Sequence, residues 1–249
     1  MALSVSQTVA LHGLLKPKMK VASMGYPDII MPFATIEHLF GSCNDIAFRD
    51  DSEEICKRHG LEPCRIPDAH SLFRLMGCEL HVYDIMQERG CERPCDLNES
   101  RNLAYAAAFY DVVLDVGTLE HCFNIGEAMR NMAGLVKAGG CIIHENPFNW
   151  GNHGFVNLNP TFYADFYVTN GFEIVTLELA DKAGAKAGVP FGRRFVFTGR
   201  EVNVFCIARR VTMQGFVWPV QSKYAALIPA AVDSGERAAS ERAKEIANG

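Results

Sequence analysis

No Cys-x-x-Cys pair occurs among the nine cysteines of this 249-residue chain. That spacing is what many structural zinc sites use, so Cys56, His59 and Cys64, or Cys91 and Cys95, are not read as ligands, and no metal is expected. An odd number of cysteines, several in strand-like runs such as those holding Cys141 and Cys206, suits free thiols serving as small apolar side chains in a reducing compartment. Long apolar runs are also missing. Val112 to Val116 and Ala225 to Val232 fall far short of the ~20 residues that cross a bilayer, and Met1 to Lys20 lacks the order of charge, apolar stretch and cleavage site of a secretory signal. The expectation is a cytoplasmic protein without a membrane segment. A basic stripe is absent as well: 24 Lys and Arg are scattered among 29 Asp and Glu, for a net charge of −5, which argues against a nucleic-acid partner. Finally, there is neither a Gly-x-Gly-x-x-Gly fingerprint nor a Tyr-x-x-x-Lys pair, which weighs against a NAD-dependent oxidoreductase.

What is present is ample apolar material, 49% of the residues, in runs that alternate with helical patterns, as βαβ units require. Lys20 to Met24 reads as the first strand, ended by Gly25 and the turn Tyr26-Pro27-Asp28. Asp68 to Met76 has helical spacing, with Leu72, Leu75 and Met76 on one face, and Glu79 to Asp84 follows as the second strand. Tyr110 to Val116, continuously apolar and β-branched except for its acids, belongs in the middle of a sheet. Ile125 to Leu135 reads as a helix, Lys137 to Gly140 as a break, and Cys141 to His144 as a strand. A loop from Pro147 to Asn159, a helix opened by Pro160, and strands at Phe172 to Leu179 and Val202 to Ala208 complete the series. The last two strands fit an antiparallel pair around a Gly-rich excursion from Gly184 to Gly199. About fifty residues separate the first two strands, more than a crossover needs, so residues 29–67 read as an inserted helical cap. Residues 1–224 are expected to form one domain, with 225–249 as an appendage that is Ala-rich and charged. The fold class is α/β: a Rossmann-like three-layer sandwich on a mostly parallel seven-stranded sheet.

A nucleotide laid across such a sheet needs a backbone-exposing turn after the first strand, an acid closing the second, and contacts after the following strands. Gly25, Asp84 and the run Asp96-Leu97-Asn98 stand in that order. Taken with Tyr110-Asp111-Val112-Val113, Leu119-Glu120-His121 and Leu135-Val136-Lys137-Ala138-Gly139-Gly140, they resemble the class I S-adenosylmethionine-dependent methyltransferases over roughly Lys20 to Arg210. The resemblance implies S-adenosyl-L-methionine as cofactor, held by Gly25, Asp28, Asp84, Ile85, Asp96, Leu97, Asn98, Val116 and Gly117. The chain departs from that family after the first strand, where Ser23-Met24-Gly25-Tyr26-Pro27-Asp28 replaces the usual acid and Gly-x-Gly-x-Gly. Asn152-His153-Gly154-Phe155, Asn159-Pro160 and Asn170-Gly171-Phe172 are similar to a subset associated with sugar and polysaccharide pathways, which implies O-methylation of a small hydroxylated acceptor.

Methyl transfer to a hydroxyl asks for alignment, exclusion of water and a base. Histidine is suited to take a proton near neutral pH. His153 is the first candidate, since its loop leaves the carboxyl edge of the sheet where ligands bind; His121 and His144 are the reserves. Asn146, with Glu145, is expected to orient the acceptor, and Trp150 and Phe155 to wall it. Asp115, Glu120 and His121 offer a magnesium alternative, set aside because Asp115 falls in the buried strand pattern. A small molecule is therefore the expected partner, with homo-oligomerisation left open. A non-catalytic scaffold that has kept the fold and lost the cofactor site is the reading set against catalysis.

Overall fold

Strand order, more than strand count, decides where a ligand can sit on this molecule. The computed structural model describes residues 2–41, 43–99, 103–181, 185–190 and 194–225. In chain order the elements begin with β1 (Ala2–Leu3), α1 (Val5–Leu14), β2 (Lys20–Met24), β3 (Asp28–Ile29), α2 (Phe33–Phe40) and α3 (Ser52–His59). Next come α4 (Ala69–Leu75), β4 (Glu79–Asp84), β5 (Arg93–Pro94), β6 (Tyr110–Val116), α5 (Ile125–Leu135), β7 (Val136–Pro147) and α6 (Pro160–Thr169). The series closes with β8 (Phe172–Ala180), β9 (Lys186–Gly188), β10 (Asn203–Arg210) and α7 (Ser222–Ala225).

The main sheet has eight strands in the order β5-β4-β2-β6-β7-β10-β8-β9. Neighbours from β5 to β7 are parallel, whereas β10 is antiparallel to both β7 and β8, and β9 to β8. The sheet has eight strands where seven were expected: to the six located in the sequence it adds β5 beside β4 and β9, inside the Gly-rich excursion, which returns along β8. The chain runs outward from β2 to β4 and β5, then returns to the other side of β2 to lay down β6 and β7. The boundary between β2 and β6 is thus a topological switch point, where loops diverge and leave a crevice at the carboxyl ends of the strands.

Local chemistry explains why these elements form where they do. Asp68 caps α4 by accepting from the Ser71 amide at 2.8 Å, and Asn159 caps α6 by accepting from Thr161 at 3.0 Å with Pro160 in the first turn. Along β6, Val112, Leu114 and Val116 pack on one face with Leu11 of α1, Ile36 of α2 and Phe73 of α4, while Val113 packs on the other with Met129 of α5 and Tyr163 of α6. Helices on both faces make the three layers expected. Between β2 and β4 the insertion is helical: α2 joins the main core, whereas Ile55, Cys56 and Ile66 form a small core of their own around α3.

Two local expectations are corrected. The break at Lys137 to Gly140 lies inside β7, because pairing with β6 jumps from Tyr110↔Val136 to Val112↔Cys141 and residues 137–140 are absorbed as an irregular bulge. The N-terminal segment, given no element in the sequence reading, forms β1 and α1: Ala2–Leu3 pairs in parallel with Asp28–Ile29, and Ser4 and Gln7 exchange capping hydrogen bonds. Of the appendage, only Ala225 falls within the described residues. No helix among them is long and apolar enough to cross a membrane.

Candidate functional site

Two cavities open along the carboxyl edge of the sheet. The first, about 360 Å³, lies at the switch point and is lined by Gly25 after β2, Asp84 and Ile85 after β4, the run Asp96-Leu97-Asn98 after β5, and Gly117 after β6. Gly25 has φ +86°, a conformation that favours glycine, and its amide donates to the Tyr83 carbonyl at 2.7 Å, which turns the chain across the strand end. The Asp84 backbone carbonyl receives the Cys95 amide at 2.9 Å and one carboxylate oxygen accepts from the Met86 amide at 3.0 Å. Asp96 Oδ1 accepts from the Asn98 amide at 2.9 Å and its side chain at 2.8 Å. Buried Asn131 on α5 ties the same segment down, donating to the carbonyls of Leu97 and Glu99 at 3.0 and 2.8 Å. Adjacent strand ends and one helix therefore hold four polar segments on a common rim.

At one side of this cavity Asp28, 2% exposed, is ringed by Arg58, His59 and Arg89. Its carboxylate stands 3.3 Å from His59 Nε2, 3.5 Å from Arg58 and 3.7 Å from Arg89. The Oδ1 atom nonetheless has no hydrogen-bond partner among the described residues. Arg89 also lies over the Tyr26 ring, 4.6 Å from its centroid, and the Tyr26 hydroxyl donates to Asp68, which fixes the turn that replaces a glycine-rich loop.

The second cavity, about 600 Å³, is walled by α1, the insertion, the turn after β6 and the loop after β7; Gln7, His59, Val116, Glu120, His121, Glu145, Trp150 and His153 are among its lining. Arg58, Gly117 and His121 line both cavities. Glu120 is buried beneath the wall, and one of its oxygens accepts from Asn146 Nδ2 at 2.9 Å while Asn146 Oδ1 accepts from the Tyr163 hydroxyl at 2.5 Å. The other oxygen faces His153 Nε2 at 3.5 Å and His121 Nε2 at 3.9 Å. Burial, with the nearby Asp115 carboxylate, pushes the Glu120 carboxyl up to about 7. Burial and then the His153 imidazole lower His121 below the ordinary histidine range. Gly154 holds its loop against this turn: a Cβ there would meet the Glu120 carbonyl at 2.7 Å, and the next amide, Phe155, donates to that carbonyl at 2.9 Å. Glu145 receives hydrogen bonds from Gln7 and, at 2.9 Å, from Asn203.

Gly25, Asp28, Asp84, Ile85, Asp96, Leu97, Asn98 and Gly117 are thus brought together around the first cavity, and His121, His153, Trp150 and Val116 around the second. Val116 was placed with the cofactor set by the sequence reading and lies on the other side of the wall. Three further residues line neither cavity. His144 is fully buried between Asp115 and Tyr167, at 2.6 and 2.5 Å. Phe155 projects outward and meets Phe123 edge-on at 5.5 Å, and Asn146 sits behind Glu120. Sequence reasoning missed Arg58 and Arg89 and considered His59 only as a zinc ligand; the fold of the insertion brings Arg58 and His59 to Asp28, and the turn after β4 brings Arg89.

No family model matches the chain, and no curated protein matches it. The architecture is a Rossmann-like α/β sandwich with a topological switch point between β2 and β6. Among solved structures the chain is similar to the 1,6-didemethyltoxoflavin-N1-methyltransferase of Burkholderia thailandensis, crystallised with 1,6-didemethyltoxoflavin and S-adenosylhomocysteine, at 13% identity over 82% of this chain and 76% of that chain, with a TM-score of 0.45. It is also similar to the trans-methyltransferase CalH, at 16% identity over 83% of this chain and 55% of that chain, TM-score 0.45. The cyclase SpnF matches at 11% identity over 83% of this chain and 79% of that chain, TM-score 0.42.

Proposed function

We propose that this protein is an S-adenosylmethionine-dependent methyltransferase that acts on a small hydroxylated acceptor, a sugar or sugar-containing metabolite, in the cytoplasm. One observation carries the reading: a cavity built at the switch point and a second, polar cavity share Arg58, Gly117 and His121 as a common wall, so a donor in one and an acceptor in the other would meet there.

The residues of the first cavity suit the cofactor. Asp84 closes β4, where a carboxylate accepts from ribose hydroxyls, and Asp96 with Asn98 offers polar atoms to an adenine amino group. Asp28 Oδ1, buried without a hydrogen-bond partner, suits the ammonium of an amino-acid group, and Arg58 and Arg89 beside it suit the carboxylate. In this reading Asp28 and its arginines serve where a glycine-rich loop with its acid is missing. S-adenosylmethionine supplies an activated methyl group on a sulfonium, so the protein's own work is positioning and proton removal. The acceptor hydroxyl gives its proton to the cluster of Glu120, His121 and His153, all three of which line the second cavity. Glu145 and Asn203 hold neighbouring hydroxyls, and Trp150 offers an apolar face to a sugar ring.

Isothermal titration with S-adenosylmethionine, S-adenosylhomocysteine and NAD tests the reading. Heat with the two sulfur ligands and none with NAD is expected. Silence with both sulfur ligands would favour the scaffold alternative, which the unusual first turn makes the natural rival.

A further inference from the structure

We propose that Glu120, His121 and His153 form a binding site for a divalent transition ion of the zinc type. They are the one group of three His, Cys, Asp or Glu side chains, among the described residues, whose donor atoms all lie within 4.8 Å of one another. Ions held at roughly 2.0–2.2 Å by such donors keep them about 3–3.6 Å apart. The Glu120 oxygen already stands 3.5 Å from His153 Nε2 and 3.9 Å from His121 Nε2. Both imidazoles are partly exposed, and sub-ångström shifts of their nitrogens toward Glu120 would bring its two contacts into that range.

The donor chemistry selects the ion. Two imidazoles with one carboxylate suit zinc, iron or nickel, whereas magnesium demands oxygen ligands. Outer hydrogen bonds hold the carboxylate ready: Asn146 takes one Glu120 oxygen at 2.9 Å and is itself fixed by Tyr163, which leaves the other oxygen aimed at the histidines. The loop carrying His153 is tied to the turn carrying Glu120 by the Phe155 amide at 2.9 Å. Three ligands on one side and an open cavity of about 600 Å³ on the other leave coordination positions for an incoming molecule.

Resting on the methyl-transfer reading, this also gives the acceptor hydroxyl its place, the coordination position that the three side chains leave open. Coordination acidifies a bound hydroxyl, as it takes bound water from 15.7 to about 7. The proton then leaves to water at the cavity mouth, the ionised oxygen forms the new bond to the methyl carbon, and the carbon–sulfur bond breaks to leave a neutral thioether. As ligands, the three side chains would promote loss of the acceptor proton through the ion rather than take the proton themselves.

The test uses the full-length protein freed of metal by chelator, titrated with Co(II) and followed by its visible absorption, then with Zn(II) by calorimetry. One ion per chain is expected, with Zn(II) displacing Co(II). His121→Ala, His153→Ala and Glu120→Gln should abolish that one-to-one binding, Asn146→Ala should weaken it roughly 10–100-fold, and Cys56→Ser should leave it intact. Binding that survives in both histidine variants, that is lost in Cys56→Ser, or that never occurs overturns the proposal. S-adenosylhomocysteine is titrated into the same variants: metal binding without the sulfur ligand would end the methyl-transfer reading and leave the ion site standing.

Discussion

His144 Nδ1 stands 2.6 Å from Asp115 Oδ2, and the other oxygen of Asp115 accepts from the amides of Thr118 and Leu119 at 3.1 and 3.0 Å. The two residues are register partners on β6 and β7, fully buried, so this carboxylate joins the core to the turn that presents Gly117, Glu120 and His121. Neither residue is available to a ligand: the histidine held in reserve as a base, and the acid of the magnesium alternative, hold each other. Removing Asp115 leaves a buried imidazole and two buried amides without their hydrogen-bond acceptor, at a cost of about 1–3 kcal/mol. Asp115→Ala is expected to lose stability of that order in urea denaturation; a loss under about 1 kcal/mol, the size of one ordinary hydrogen bond, would show that the pair does not anchor the turn.

Asp84 offers a sharper test of the first cavity. Its side chain lines the rim at the end of β4, and hydrogen bonds to a charged group contribute about 1.5–3 kcal/mol each. Asp84→Ala should weaken S-adenosylhomocysteine binding by that amount in calorimetry, with the folded state intact. Unchanged affinity removes the ribose assignment and leaves the cavity without its most specific contact.

How much of this was legible in advance follows from the range of each interaction. β2, β4, β6, α5 and α6 are readable because apolar periodicity, Asp68 and Asn159 as caps and Pro160 as an opener act within a few residues. The cavity residues that end strands, Gly25, Asp84 and Gly117, are readable for a related reason: parallel topology alone brings strand ends to one edge. Arg58 and His59 reach Asp28 only through the fold of a forty-residue insertion, and Arg89 only from the turn after β4, and no local pattern encodes that. Nor does α1, which shows no clear apolar stripe, reveal that Gln7 will cap Glu145, 138 residues away. Histidines are the hardest to sort: His144 lies within β7, where it is buried in the core, while His153 lies in the loop that follows and lines the cavity.

Gly154 stands where backbone meets backbone. A methyl group there would come within 2.7 Å of the Glu120 carbonyl and 3.0 Å of Cγ, so Gly154→Ala must push the His153 loop off the Glu120 turn. Overpacking of this kind costs about 1–3 kcal/mol. The expected outcome is a loss of turnover exceeding any loss of cofactor affinity, since Gly154 lies on the acceptor side; a variant with unaltered turnover would mean that the loop is not held at this contact.

Buried thiols are expected to cost the fold stability at alkaline pH. Burial, then Asp96, Glu99 and Asp84, push Cys95 from 9.0 up to about 11, and burial alone raises Cys206 further. A folded-state value above the unfolded one means that the unfolded chain gives up its protons first, so this stability is whole below about pH 9 and drains as pH rises toward 11. Urea midpoints should fall across that window, and Cys95→Ala should flatten the slope. An unchanged slope in that variant would assign the alkaline loss to the other raised groups, Tyr26 and Tyr110 among them.

His153 carries the test of chemistry itself. It is 41% exposed, reaches Glu120 at 3.5 Å and lies against the Trp150 ring at 5.0 Å, so its removal empties the acceptor side without touching the first cavity's lining. Loss of a group that handles the acceptor proton lowers turnover by roughly 10²–10⁴-fold. Incubating a pool of sugars and polyols with methyl-labelled cofactor and reading products by mass spectrometry gives both the acceptor and the rate. In His153→Ala the labelled product should fall by that factor while S-adenosylhomocysteine affinity stays within about twofold, because no lining residue of the donor cavity has changed. Normal turnover would shift proton removal to His121, the cluster's other imidazole and the one that faces both cavities.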